Sequence, residues 1–169
     1  SFYATMGGQN ADVGLIKKDD AVFNVVDVIK LAGDKIGHVG FVSQGMFRLG
    51  DTVETVVDSE NRKKTAANHS ATHLLHKALR EVLGNHVEQA GSYVAADRLR
   101  FDFTHFKSLS REEIAEVEAL VNVEINKALP VVTDVMNVED AKKSGAMALF
   151  GEKYQGDRRV VSMGDFSKE

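Results

Sequence analysis

Three of the six histidines in this chain lie close together, at positions 69, 73 and 76. The surrounding sequence predicts a helix that ends near Gly84 and Asn85. An α-helix turns about 100° per residue, so His69 and His73 lie about 40° apart around the axis, one turn from each other. Two imidazoles at this spacing can bind one metal ion. The pattern therefore indicates His69 and His73 as candidate metal ligands.

The same pattern has a purely structural interpretation, because a histidine on a partly apolar helix is often a packed, hydrogen-bonded residue. Leu74, Leu75 and Leu79 give the helix an apolar side that can pack on a core. Zinc metalloproteases with this spacing need a glutamate after the first histidine as general base, and Ser70 occupies that place here. His76 is about 10 Å from His69 along the axis, so it could at best assist His73 and is better explained as structural.

Composition limits the class of protein. The chain has 169 residues of which 43% are hydrophobic, enough for one domain or two small ones with a real core. A net charge of −4 gives no general attraction to nucleic acid, so any RNA contact must be local. No apolar run approaches the ~20 residues that span a bilayer, and no signal peptide is recognisable. The absence of cysteine excludes disulfides, fits a cytoplasmic protein, and means that this chain offers zinc no thiolate.

Residues 1–59 are predicted to form a small β-barrel-like domain. Short runs rich in β-branched residues alternate with turn residues, which is typical of small all-β domains. The predicted strands are residues 22–29, 37–42 and 51–58. Near the start, Gly7 and Gly8 could allow a ligand to approach the backbone, or could simply form a turn.

Residues 60–169 are predicted to form a second domain of the α+β class, with a mostly antiparallel sheet packed by helices. Residues 60–64 are a basic connector into the histidine helix, which is better explained as a solvated start of that helix than as a phosphate contact. After the helix, Gln89 precedes a hairpin and could face whatever the histidines hold. Ser110 and Glu113 form a predicted capping box for a helix that stops before Pro130. The remaining predicted elements are strands 93–96, 99–103, 131–136 and 158–163, and a short helix at 139–144.

Several segments together resemble the editing region of alanyl-tRNA synthetases. They occur in the family's order and span nearly the whole chain: residues 2–4, 7–9, 68–76, 91–94, 99–103, 145–154 and 161–169. The histidine motif is shared with threonyl-tRNA synthetase editing domains and with free-standing editing proteins. Residues 145–154 and 162–169 are more particular to the alanyl enzymes.

The resemblance implies a hydrolase: an aminoacyl-tRNA deacylase that removes serine or glycine wrongly attached to tRNA(Ala). The parent protein would ligate alanine to tRNA(Ala) with ATP, and the partners would be the tRNA(Ala) acceptor end and the other synthetase domains, with no membrane. The resemblance also implies the site residues: zinc ligands His69 and His73, catalytic-pocket residues Thr72 and Gln89, and substrate-binding residues Gly7, Gly8 and Gln9.

The chain departs from the family at its end. In the family, a Cys-Gly-Gly-Thr-His stretch follows the segment equivalent to residues 166–169 and supplies the other two zinc ligands, whereas this chain stops at Glu169 and has no cysteine. The ATP-binding and oligomerisation regions are also missing. We therefore expect a piece of a longer protein that binds zinc weakly or not at all and deacylates poorly by itself.

Other functions remain open. One, implied by the shared histidine motif of the resembled families, is a threonyl-type or free-standing deacylase. A second is a non-catalytic tRNA-binding module that contacts phosphates through the basic residues Arg62, Lys63, Lys64, Arg158 and Arg159. A third is an α+β interaction domain in which the histidines only fill space.

Overall fold

The computed structural model describes residues 1–137, 140 and 157–168. Contacts divide the chain into two compact units: a first unit of Ser1–His69 with Ser92–Arg100, and a second unit of Ser70–Gly91 with Phe101–Glu169. The described elements are, in order, β1 Gly14–Lys18, β2 Ala21–Lys30, β3 Ile36–Gln44, β4 Glu54–Val57, α1 Ser59–Leu83, β5 Gln89–Val94, β6 Leu99–Phe103, α2 Arg111–Asn126, β7 Val131–Asn137, β8 Asp157–Met163 and β9 Ser167–Lys168. The predicted domain boundary near residue 60 stays a prediction.

The first unit contains an antiparallel four-stranded sheet in the order β3-β2-β1-β4. The sequence does not predict strand β1, because Gly14–Lys18 has only two apolar residues and no clear alternation. It pairs with β2 from Gly14↔Val25 to Lys18↔Ala21, so a tight hairpin rather than a hydrophobic pattern specifies it. The buried core of this unit contains Phe2, Ala4, Val25 and Val28.

The structure confirms the α+β class but not the predicted barrel. In the described part of the first unit, β3 pairs with β2 and β4 pairs with β1, and these two outer strands are not joined. A barrel requires hydrogen bonding between the first and last strands of the sheet. The sheet is therefore open, although its short antiparallel strands match the predicted all-β character.

Helix α1 includes the basic residues 60–64, which agrees with their interpretation as the solvated start of the histidine helix. The Asp58 carboxylate accepts a hydrogen bond from the backbone N–H of Asn61 at 2.9 Å, and its carbonyl accepts from the N–H of Arg62 at 3.0 Å. Asp58 therefore caps the helix N-terminus, which makes residues 60–64 helical. The helix ends at Leu83, next to the predicted stop at Gly84.

The second unit has a core formed by both helices and the strand residues between them. Its fully packed members are Ala78, Leu79, Val87 and Val117. Strands β7, β8 and β9 form an antiparallel sheet, as predicted except for the two-residue β9. The predicted helix at 139–144 lies, apart from Asp140, outside the described residues. No helix in the described part of the chain has the length and apolarity needed to cross a bilayer.

The hairpin of β5 and β6 is confirmed, with one change at its start. Strand β6 has the predicted bounds, whereas β5 begins at Gln89 instead of residue 93. Gln89 is therefore part of the strand and not of the segment before it.

The predicted capping box of α2 is confirmed. The Ser110 hydroxyl accepts from the Glu113 N–H at 3.1 Å, and the Glu113 carboxylate accepts from the Ser110 N–H at 2.7 Å. That backbone hydrogen bond, aided by Lys107, holds the pKa of Glu113 below its usual range. The two contacts together fix where the helix begins.

We expect Ser110→Ala to lower the free energy of unfolding by about 1 kcal/mol, because the Glu113 N–H loses its acceptor. Chemical denaturation measures this change. Ser108→Ala, in the exposed segment just before the cap, is the control and should leave stability within about 0.5 kcal/mol. Equal stability of the two variants would show that the cap contributes nothing.

Candidate functional site

Helix α1 carries three of the predicted site residues in one turn. It runs unbroken from Ser59 to Leu83, so His69 and His73 lie one turn apart on the same side, as the sequence predicts. Thr72 lies between them and is buried, whereas both histidines are half-buried. What these side chains bind stays a prediction.

Within the first unit, the structure brings together two predicted site residues that are 60 positions apart. The Gln9 side-chain oxygen lies 2.7 Å from Nδ1 of His69. A carbonyl oxygen only accepts hydrogen bonds, so this contact is a hydrogen bond in the tautomer that carries the proton on Nδ1 and the lone pair on Nε2. Histidines that bind a metal through one ring nitrogen typically donate a hydrogen bond from the other nitrogen to an oxygen, as Nδ1 would do here.

The two glycines before Gln9 form a tight turn. Met6 and Gln9 exchange two backbone hydrogen bonds of 3.2 and 3.1 Å, and Gly7 and Gly8 between them have φ values of +59° and +81°. Two successive residues with positive φ are the requirement of a type I′ turn, which glycine meets without strain. The turn explains the glycine pair, and the substrate-binding role implied for it stays a prediction.

The turn packs on the end of β5 in the same unit. The Gly8 carbonyl accepts from the Val94 N–H at 2.8 Å, and the Asn10 N–H donates to the Val94 carbonyl at 2.9 Å. Asn68, next to His69 on the helix, donates from its amide to the Ala95 carbonyl at 2.7 Å. The same strand end therefore holds both the Gln9 segment and the helix turn that carries His69.

Arg62 has a structural role in the first unit. Its guanidinium forms a two-pronged ion pair with the buried Asp12 carboxylate, with Nε 3.0 Å from Oδ1. Its Nη2 also donates to the Ser1 carbonyl at 3.0 Å. The Asp12 carboxylate in turn accepts from the Tyr3 N–H at 2.6 Å. These contacts occupy Arg62, which weakens the interpretation of this residue as a phosphate ligand.

The other histidines of the second unit are explained by packing. His76 is only 4% exposed and its ring centroid lies 5.1 Å from that of Phe101, which fits the structural role predicted for it. His86 and His105 stack with centroids 5.0 Å apart and are joined by a 2.8 Å contact between ring nitrogens. No sequence pattern predicts this pair, because the two residues lie on separate segments and share no motif.

Comparison with known proteins gives the chain a family context. It is 66% identical over 168 residues to alanine–tRNA ligase 1 of Lachnoclostridium phytofermentans, an alignment that covers 99% of this chain and 19% of the relative. It is 53% identical over 169 residues to the alanine–tRNA ligase of Clostridioides difficile. That alignment covers 100% of this chain and again 19% of the relative. Over nearly its whole length, this chain is therefore similar to one part of these alanine–tRNA ligases.

A family model described as tRNA synthetases class II (A) also matches residues 1–61. The chain spans about a fifth of the length of these alanine–tRNA ligases. This similarity agrees with the resemblance to alanyl-tRNA synthetases noted in the sequence. The editing assignment within it stays a prediction.

The first-unit geometry fits a histidine ligand for the zinc that the family resemblance implies. The contact with Gln9 favours the His69 tautomer with its proton on Nδ1, in which Nε2 is the nitrogen that would bind a metal. His73 would supply a second imidazole from the next turn of α1. Among the described residues, no group of three or more His, Cys, Asp or Glu side chains could hold a metal ion. His69 and His73 would therefore supply at most two of the four ligands of a zinc site from that part of the chain.

Proposed function

We propose that this chain is part of the editing region of an alanyl-tRNA synthetase. The reaction is hydrolysis of the ester that joins wrongly attached serine or glycine to tRNA(Ala). Identity of 66% to an alanine–tRNA ligase supports the family. The contact between Gln9 and His69 carries the assignment to a hydrolytic metal site, since it orients a candidate ligand as such sites require.

The need for a second site follows from the substrates. Serine and alanine differ by one hydroxyl, and an apolar pocket rejects an added hydroxyl by only ~10²-fold. A site that offers hydrogen bonds to that hydroxyl prefers the wrong product and spares the correct one. Thr72, which is buried, and Gln89, which is half-buried, have side chains suited to this role.

Each site residue then has a defined task. His69 and His73 would hold zinc, which when bound polarises oxygen ligands as a Lewis acid. Thr72 offers a buried hydroxyl on α1, and Gln89 offers an amide on the first residue of β5. We expect Gln89 to act on the choice between seryl and alanyl esters more than on the rate itself.

The test replaces the matching 168 residues of the L. phytofermentans ligase with this chain. We expect the hybrid to hydrolyse preformed Ser-tRNA(Ala), and His73→Ala to reduce that rate by more than the roughly 10–100-fold typical of outer-shell changes at metal sites. Gln89→Ala should lower the ratio of seryl to alanyl hydrolysis. His86→Ala, which changes an exposed histidine of the second unit, is the matched control and should retain hydrolysis.

The outcomes separate the alternatives. A hybrid that alanylates tRNA(Ala) and binds it normally, yet does not hydrolyse Ser-tRNA(Ala), would favour the non-catalytic tRNA-binding module. An unchanged seryl to alanyl ratio in Gln89→Ala would remove Gln89 from substrate selection.

A further inference from the structure

The contact between Gln9 and His69 bears on which ring nitrogen of His69 donates a hydrogen bond and which accepts one. In neutral histidine one ring nitrogen donates and the other accepts, and the partner of one nitrogen decides the role of both. With the Gln9 oxygen 2.7 Å from Nδ1, the tautomer that makes a hydrogen bond here has its proton on Nδ1 and its lone pair on Nε2. A histidine without such a partner can rotate and exchange tautomers, so it would present the ligand nitrogen only part of the time.

Gln9 is itself held firmly on both sides. Its backbone N–H and carbonyl both bond to Met6 across the Gly7-Gly8 turn. The residues before and after it, Gly8 and Asn10, bond to the backbone of Val94. A long side chain on a fixed backbone loses less conformational entropy when it binds than one on a free loop. The glycine turn and its hydrogen bonds to β5 thus hold the Gln9 side-chain oxygen next to Nδ1 of His69.

We propose that Gln9 is a positioning residue for His69, which fixes the Nδ1–H tautomer and the orientation of the ring. The glycine turn then acts through Gln9 on the histidine, in addition to any contact with substrate. Gln9 and His69 both belong to the first unit, so the tautomer depends on that unit alone. Any effect of Gln9 on metal binding rests on the proposed function.

The first experiment measures the tautomer directly in the metal-free chain. Long-range ¹⁵N–¹H NMR of labelled histidine at pH 8, where ordinary imidazoles are neutral, distinguishes Nδ1–H from Nε2–H. We expect His69 to be Nδ1–H in the wild type, to shift toward Nε2–H in Gln9→Ala, and to return in Gln9→Glu, which keeps an acceptor oxygen. Gln44→Ala, which removes another glutamine of the first unit, should leave the His69 spectrum unchanged.

The second experiment measures metal affinity in the full-length hybrid ligase described above. We expect Co²⁺ or Zn²⁺ affinity to fall about 10–100-fold in Gln9→Ala and to recover in Gln9→Glu. Gln44→Ala is again the control.

The two measurements fail independently. An Nε2–H tautomer in the wild type, or a tautomer that Gln9→Ala does not alter, would overturn the positioning role whatever the hybrid does. Should Gln9→Ala unfold, the wild type and Gln9→Glu still decide the tautomer. If His69 is Nδ1–H and this tautomer depends on Gln9, but the hybrid has no deacylase activity, the proposed function is wrong and the positioning role remains supported.

Discussion

Gly8→Ala is expected to lower the free energy of unfolding by about 2–4 kcal/mol, whereas Gly7→Ala should cost only about 1 kcal/mol. Both glycines have positive φ, at +81° and +59°, so both substitutions impose the same kind of backbone strain. They differ in the space available. A Cβ at Gly8 would lie 2.5 Å from the Ser92 carbonyl oxygen, while a Cβ at Gly7 meets nothing within 4 Å.

The comparison separates the requirement of the turn from that of close packing. The difference between the two variants measures the contact of Gly8 with β5, because the turn strain is common to both. Urea unfolding of the two proteins, followed by circular dichroism, gives this difference. Equal losses would show that the turn does not pack on Ser92 as described. Since Gln9 follows this turn, we also expect Gly8→Ala to disturb the tautomer of His69 more than Gly7→Ala does.

Arg62→Ala is expected to lower the free energy of unfolding by about 2–3 kcal/mol. The Asp12 side chain is only 6% exposed, so loss of its cation leaves a carboxylate with little solvation. The effect should be smaller than the about 3–5 kcal/mol of a fully buried pair, because the Arg62 side chain is 47% exposed. Lys63→Ala, which breaks an exposed ion pair with Glu60 on the same helix turn, is the control and should cost less than about 1 kcal/mol.

The Asp12 contacts also predict how stability depends on pH. Burial raises the pKa of Asp12, but hydrogen bonds from Arg62 and the Tyr3 N–H, with the Arg62 charge, outweigh burial and leave the pKa below its usual value. A lowered folded-state pKa stabilises the protein at pH values above the unfolded-state pKa near 4, and this stability is lost as the pH falls through the folded value. Between pH 7 and pH 3, the free energy of unfolding should therefore fall less steeply in Asp12→Asn than in the wild type. A slope equal to that of the wild type would contradict the pKa shift.

Much of the local structure was predictable from short-range patterns. The histidine helix follows from its apolar spacing, the start of α2 from Ser110 and Glu113, and the hairpin from alternation in Leu99–Phe103. Each of these signals lies within a few residues of the element it specifies. Strand β1 was not predictable in this way. Its pairing with β2 specifies it, and that pairing leaves no hydrophobic period in the strand itself.

The sequence alone determined that His69, Thr72 and His73 share one turn of a helix, because helical geometry converts spacing into position. Only the tertiary structure decided that Gln9 meets His69 and that Asp12 meets Arg62, pairs separated by 60 and 50 residues. It also decided that the first sheet stays open between β3 and β4. The physical reason is that such contacts depend on how strands pair and pack over the whole unit, and local periodicity carries no record of which distant residue will be the partner.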